Sequence, residues 1–375
     1  MVSSSRKKTA IISGDGNTIY WFRRELISEF QEINYEVHIL APDIKNEFLD
    51  ILSLNEVHFS KLALKRKTIN IFDSVISFFS IRKNLLKINP EILIAYTLKT
   101  VFLTGFCLYF LKIKNSTALI TGTGHIFHNS SSLGKLKRLF VIAALRFSIP
   151  SYRLVFFQNP DDKNSFLKYK IVSKDQIRMM NGSGVNLEVF KQTKLAQEPV
   201  FLCISRLIKS KGLLEYAEAA RLVRLEYPKA RFLLYGYSDP HPDSIDEQEI
   251  IQSWRDIYGV EYCGFSMHPE QTIADASVFV LLSHHEGTPR VVLEAMAMGR
   301  PIITTDAPGC RETVEHGLNG FQVPVGDFNY AALQMKKLMD NNLRISMGLA
   351  SRKIAEEKFD VKKVNQLLIN EIHKH

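Results

Sequence analysis

From residue 9 to residue 180, short apolar, β-branched runs alternate with longer stretches whose apolar residues recur every three or four positions. These are the signatures of buried strands and of amphipathic helices. The strand pattern falls on 9–14, 37–41, 57–62, 92–96, 118–122, 154–158 and 177–180, and a helical stretch covers 19–30. The rhythm then repeats, with strands over 200–205, 231–236, 260–263, 278–282, 301–305 and 320–325. Helices between them are predicted over 213–226, 244–258, 269–276, 289–298 and 330–341. Two successive sets of alternating strands and helices predict an α/β chain of two doubly wound, Rossmann-like parallel-sheet domains, with a ligand cleft between them. The chain turns polar and irregular over 185–199, which divides it into residues 1–190 and 191–355. A last helix, beginning near Ser351, has no strand to pair with; its residues 356–375 are expected to cross back to the first domain.

One junction concentrates candidate chemistry. The apolar run Val278–Leu282 leads into Glu286-Gly287-Thr288-Pro289-Arg290 and then Glu294. Thr288 reads as the N-cap and Pro289 as the first helical residue, where a missing N–H costs nothing. Glu286 then sits on the loop leaving a strand and Glu294 in the second turn of the helix. Both reach the carboxyl edge of a parallel sheet, where α/β proteins bind nucleotides. Two acids at such a junction are, taken alone, equally compatible with a solvated surface. Upstream, Arg206 follows the strand that opens the second domain, and Lys211 precedes the helix begun by Gly212. A guanidinium fork and an ammonium point charge beside a helix N-terminus suit a diphosphate. In the first domain, Gly14-Asp15-Gly16 forms a turn between strand and helix, whose N–H groups are expected to be free for an anion. It lacks the G-x-G-x-x-G spacing, so no dinucleotide cofactor is expected.

Charge alters the picture in the first half. Residues 1–160 hold 21 Lys and Arg against 11 Asp and Glu, whereas the remainder holds 27 against 28. Such a skew points to an anionic partner, and the basic, apolar segment 135–146 suits a helix at an anionic membrane surface or a core helix with a basic edge. No apolar run is long enough to span a bilayer. The four cysteines are scattered, without C-x-x-C spacing, so neither a zinc site nor a disulfide framework is expected. Asp161-Asp162 is adjacent rather than spaced, is expected to start a loop, and does not read as a metal-binding strand end.

Together Arg206, Lys211-Gly212, Glu286 and Glu294 resemble the signature of glycosyltransferase family 4, retaining sugar transferases of the GT-B fold. The resemblance runs over nearly the whole chain. Within that family, Ala95-Tyr96-Thr97-Leu98-Lys99-Thr100 resembles a Tyr-Thr-x-Lys-Pro segment of bacterial capsule and O-antigen transferases, with Thr100 in place of proline. Ile120-Thr121-Gly122-Thr123-Gly124 is similar to their TGxG strand end, and Asn181–Asn186 to an NGSGVD segment with Asn186 for Asp.

The resemblance implies transfer of a hexose or N-acetylhexosamine from a UDP-sugar to a polyprenyl-diphosphate-linked saccharide, with retention at the anomeric carbon. It implies that Glu286, Arg206 and Lys211 are catalytic, and that Gly14, Asp15, Gly16, Gly287, Thr288, Pro289, Arg290 and Glu294 bind the donor, Glu294 through the ribose hydroxyls. Lys99 and His125 are the acceptor-side candidates. No metal and no cofactor are expected, because protein cations stand where a divalent ion would neutralise the leaving diphosphate. The enzyme is expected in the cytoplasm, held to the inner face of the bacterial inner membrane, with no nucleic-acid partner. The alternatives are a GT-B glucosyltransferase acting on a soluble metabolite or glucan, and a non-enzymatic protein binding anionic surfaces.

Overall fold

The computed structural model of the 375-residue chain describes residues 6–65, 71–123, 132–238 and 243–374, without the side chains of residues 71 and 132–137. It divides into two compact units, Met1–Ser183 with Asn365–His375, and Gly184–Val364. The sequence boundary at 190 thus falls at Ser183, and the segment that rejoins the first unit begins at Asn365 rather than at 356.

In the first unit, seven parallel strands are ordered β3-β2-β1-β4-β5-β6-β7. They are β1 (Lys7–Ser13), β2 (Tyr35–Ala41), β3 (His58–Lys61), β4 (Ile92–Tyr96), β5 (Asn115–Ile120), β6 (Leu154–Phe157) and β7 (Ile177–Met179). Their connections hold α1 (Gly16–Glu32), α2 (Asn46–Leu54), α3 (Ile71–Ile88), α4 (Leu98–Leu108), α5 (Ser132–Ser148) and α6 (Pro160–Lys168). The central strands are buried on both faces: every residue of β4 is buried, as parallel strands covered by helices require. Leu85 of α3, Val101 of α4 and Leu145 of α5 cover one face beside Ala10, Leu40 and Leu93.

The second unit has six parallel strands in the order β10-β9-β8-β11-β12-β13. These are β8 (Val200–Ile204), β9 (Arg231–Tyr235), β10 (Val260–Tyr262), β11 (Val278–Leu281), β12 (Ile302–Thr305) and β13 (Gly320–Val323). Its helices are α7 (Leu213–Arg224), α8 (Glu247–Glu249), α9 (Arg255–Tyr258), α10 (Pro269–Ala274), α11 (Arg290–Ala297), α12 (Phe328–Lys337) and α13 (Asn341–Ile354), while α14 (Val361–His373) starts in this unit and belongs to the first from Asn365 on. In each sheet the first two halves of the winding depart in opposite directions, from between β1 and β4 and from between β8 and β11. Such switch points leave an open crevice at the carboxyl ends of the strands.

Three expectations change. The final helix does not run unbroken from Ser351, because α13 ends at Ile354, a π-turn covers Ala355–Phe359 and Asp360 is extended. There the backbone is recruited sideways: Val185 N–H donates to the Phe359 carbonyl at 2.7 Å and Val361 N–H to the Val185 carbonyl at 3.0 Å. Gly184 makes this approach possible, with φ +72 and space for a Cβ only 2.6 Å from Val361 Cα. At the start of α11, Pro289 rather than Thr288 is the N-cap, because its ψ of 107 is extended and Arg290 is the first helical residue. Asp161 and Asp162 lie in the first turn of α6, not in a loop. Asp162 accepts from the Asn159 side chain at 2.9 Å and from the Thr123 hydroxyl, so it has a structural role at a helix N-terminus, where an acid is favoured. Of the two readings left open for 135–146, α5 fits the core helix, with Ile142 and Leu145 buried, and Leu139, Phe140 and Phe147 form an exposed apolar edge.

Candidate active site

The site is built where β8 and β11 lie side by side. Leaving β8, the chain passes Arg206 and makes a 3₁₀ turn over Lys209–Lys211 before Gly212 opens α7. Gly212 takes φ +69, and a Cβ there would stand 2.0 Å from the Leu282 carbonyl oxygen, so the turn presses against the exit of β11. The His284 N–H donates to the Ser210 carbonyl at 3.0 Å and ties the two loops together. From the other side, the Glu286 N–H donates to the Pro308 carbonyl at 2.9 Å. Backbone contacts on both flanks thus set the position of Glu286.

This packing joins Lys211 to Glu286, 75 positions apart in sequence, in a direct Nζ to Oε1 ion pair. Both side chains are largely shielded, 14% and 16% exposed. The Ser283 hydroxyl donates to the same carboxylate at 2.8 Å, a contact that sequence reasoning missed although Ser283 closes the strand run. Burial alone would push the Glu286 pKa up. The charge and hydrogen bond of Lys211, the Ser283 hydroxyl and the field of Arg206 outweigh it and hold Glu286 below the ordinary carboxylate range. A depressed carboxylate contributes stability that is present above its unfolded pKa and lost as pH falls through the folded value. Glu286 therefore stays ionised throughout the neutral range.

Eight residues on, Glu294 is buried in α11 and accepts from Arg290 Nε at 3.1 Å. An arginine at the first position of a helix opposes the local dipole, and Arg before Glu at i,i+4 is the weaker orientation. A buried pair set against local preference is the kind of inconsistency that marks functional sites. It leaves a fixed cation at a helix N-terminus, directly after Gly287, Thr288 and Pro289, and a carboxylate whose orientation Arg290 holds.

The first-unit turn differs from expectation. Gly14 N–H donates to Thr97 Oγ1 at 3.3 Å, Asp15 N–H to Ser13 Oγ at 3.1 Å, Gly16 N–H to the Asp43 carbonyl at 2.8 Å, and Asn17 N–H to the Asp15 carboxylate at 3.0 Å. These N–H groups are engaged inside the protein and do not form the free anion cradle predicted. Two of the partners come from the neighbouring β4–α4 turn, where Thr97 adopts φ +69, and from the segment after β2, while Ser13 and Asp15 belong to the turn and the strand end before it. Lys99, in the first turn of α4, donates to the Lys65 carbonyl; burial lowers its pKa and Asp73 opposes the shift. His125 lies outside the described residues. Asn186 accepts from the Glu188 and Val189 N–H groups at 3.0 and 3.2 Å, a role its amide oxygen fills as an Asp would.

Alanine at Gly212 is expected to cost more than about 2 kcal/mol, since a left-handed φ alone costs ~1–2 kcal/mol and the Leu282 carbonyl blocks the new Cβ. Chemical unfolding should show the loss, with activity falling alongside as Lys211 leaves Glu286.

Two doubly wound parallel sheets, the second carrying a cation–carboxylate cluster at its switch point, define a glycosyltransferase of the GT-B fold. Residues 198–341 match the family described as Glycosyl transferases group 1. Over 357 residues the chain is 24% identical to an N,N'-diacetylbacillosaminyl-diphospho-undecaprenol alpha-1,3-N-acetylgalactosaminyltransferase of Campylobacter jejuni, covering 91% of this chain and 92% of that one. It is 31% identical over 157 residues to the capsular polysaccharide biosynthesis glycosyltransferase CapM of Staphylococcus aureus, 42% of this chain and 41% of that one. Among solved structures, Anabaena HepE in complex with UDP and glucose matches with TM-score 0.77 at 16% identity, covering 99% of this chain and all of that one.

Proposed function

We propose that this glycosyltransferase takes a hexose or N-acetylhexosamine from a UDP-sugar and adds it, with retention, to a polyprenyl-diphosphate-linked saccharide in surface-polysaccharide synthesis. The observation that carries the reading is the Lys211–Glu286 pair under the field of Arg206, with Arg290 and Glu294 one helix turn beyond. Negative charge grows on the β-phosphate as the anomeric bond breaks. Fixed protein cations stabilise such charge without reorganising. Glu286 holds Lys211 in place and meets hydroxyls of the transferred sugar, while Glu294 accepts from the ribose hydroxyls. The acceptor class follows the Campylobacter relative, whose name specifies an undecaprenyl-diphosphate-linked sugar and which matches across most of both chains. A panel of UDP-sugars with polyprenyl-diphosphate-linked saccharides, scored by product mass, tests the proposal. One donor should give a product heavier by one sugar, with rates unchanged by EDTA. Transfer only to soluble acceptors, or a strict need for added Mg²⁺ or Mn²⁺, would contradict it.

We further propose that the first unit docks on anionic lipid. Along α3, the exposed residues Phe72, Val75, Ile76 and Phe79 recur at helical spacing. Phe78 carries the aromatic surface on to Phe110, with ring centroids 6.1 Å apart, and Tyr109 joins Phe147 of α5 at 4.9 Å. Phe72 is 76% and Phe110 65% exposed. No acidic residue occurs between Glu91 and Asp161, a stretch that contains Lys112, Lys114, Arg138 and Arg146. An apolar face flanked by cations matches the interface of an anionic bilayer; among the described residues no helix is long and apolar enough to cross one. Replacing Phe72, Phe79 and Phe110 together by serine should reduce binding to anionic liposomes at least about tenfold, on the scale of apolar burial, while UDP affinity stays unchanged. Undiminished liposome binding would move the contact elsewhere.

A further inference from the structure

At the amino-terminal end of the first sheet, opposite the carboxyl edge with the Gly14 turn, three ligating side chains converge. Glu36 and His38 are two positions apart on β2 and so share a face. His58, the first residue of β3, is the register partner of His38 on the adjacent strand. Parallel neighbours lie about 4.8 Å apart, and the two imidazoles stack with centroids 4.8 Å apart. Glu36 Oε1 stands 2.7 Å from His38 Nε2 and 3.4 Å from His58 Nε2. One ligand atom from each residue lies within 4.8 Å of the other two.

We propose that Glu36, His38 and His58 form a binding site for a divalent transition-metal ion of the zinc type, with water completing its coordination. Zinc bonds of about 2.0–2.1 Å in tetrahedral geometry set neighbouring ligand atoms ~3.3–3.4 Å apart. The Glu36–His58 separation already has that value, and side-chain rotations bring the other two pairs to it. Two imidazoles and one carboxylate select zinc and its late-row neighbours over magnesium or calcium, which prefer all-oxygen ligands. The neutral imidazole is the ligating form of each histidine. Lys8 on β1, register partner of Glu36, holds its ammonium 4.0 Å from the carboxylate and competes for it until an ion arrives.

The site would serve the fold rather than sugar transfer, since it lies away from the carboxyl edge of its sheet. β3 has four residues and is paired to β2 alone. An ion shared between β2 and β3 clips this short edge strand in place, and binding that favours the folded state stabilises it by mass action.

The test uses the full chain, stripped by a chelator, returned to chelator-free buffer and titrated with zinc and, separately, cobalt(II). One equivalent of zinc should bind and raise the melting temperature. Cobalt should give tetrahedral d–d bands without the thiolate charge-transfer absorption expected if exposed Cys263 were a ligand. His58→Ala, at an exposed position, should weaken zinc at least about tenfold, whereas His268→Ala, on the second unit, should not. Equal zinc affinity in the wild type and His58→Ala, or no stoichiometric uptake by the wild type, would overturn the proposal.

Discussion

Replacement of Lys211 by alanine is expected to lower kcat/KM by about 10²–10³, or ~2.7–4 kcal/mol of transition-state stabilisation, the scale for deleting one preorganised donor at a developing charge. The effect comes from two linked losses. The leaving diphosphate loses a cation already fixed by Glu286. Glu286 in turn loses the largest influence opposing its burial, so its pKa rises and activity acquires an acid limb that the wild type lacks over the same range. Glu286→Ala should fall as far in turnover, because Lys211 and Ser283 lose the acceptor that orients them. Glu286→Gln separates shape from charge: it keeps the volume and one acceptor but leaves the ammonium without a counter-ion. Steady-state kinetics across pH, with thermal unfolding to show that the variants remain folded, reads each of these effects.

The second large effect is expected at Glu294. Hydrogen bonds to a charged acceptor contribute about 1.5–3 kcal/mol each, so Glu294→Ala should weaken UDP roughly 10- to 100-fold. Arg290 is the complication, since it is buried and donates to the same carboxylate at 3.1 Å. Breaking a shielded pair from one side costs stability as well. Glu294→Gln, which retains an oxygen for Arg290, should recover most of that stability but not the UDP affinity. A variant that loses both in parallel would mean that Glu294 only anchors α11.

Much of this arrangement could be read from the chain, for reasons particular to each element. Strands such as Ile92–Tyr96 are buried on both faces, so their apolar runs are continuous and their positions legible. Arg206, Lys211, Glu286 and Glu294 were picked out by residue type and spacing, and the structure brings Lys211 and Glu286 into contact and pairs Glu294 with Arg290. What could not be read depends on backbone contacts between distant segments. The free N–H groups expected at Gly14–Gly16 are consumed by Thr97 and Asp43, 83 and 27 positions away from their donors Gly14 and Gly16. The helix expected from Ser351 is broken because Val185 donates to the Phe359 carbonyl and accepts from the Val361 N–H. Local periodicity carries no trace of either. The grouping of His58 with Glu36 and His38 is hidden in the same way, since it depends on register between two strands, although the Glu36–His38 half is visible as an i,i+2 pair on one strand face.

The central claim is a division of labour at one strand–helix junction: Glu294 holds the nucleotide and Glu286, with Lys211, handles the sugar and the departing phosphate. Calorimetric titration of UDP alone into the wild type, Glu286→Ala and Glu294→Ala tests it most directly. The account predicts near wild-type UDP affinity for Glu286→Ala and a loss of about 10- to 100-fold for Glu294→Ala. Equal losses in both variants, or a loss confined to Glu286→Ala, would contradict it.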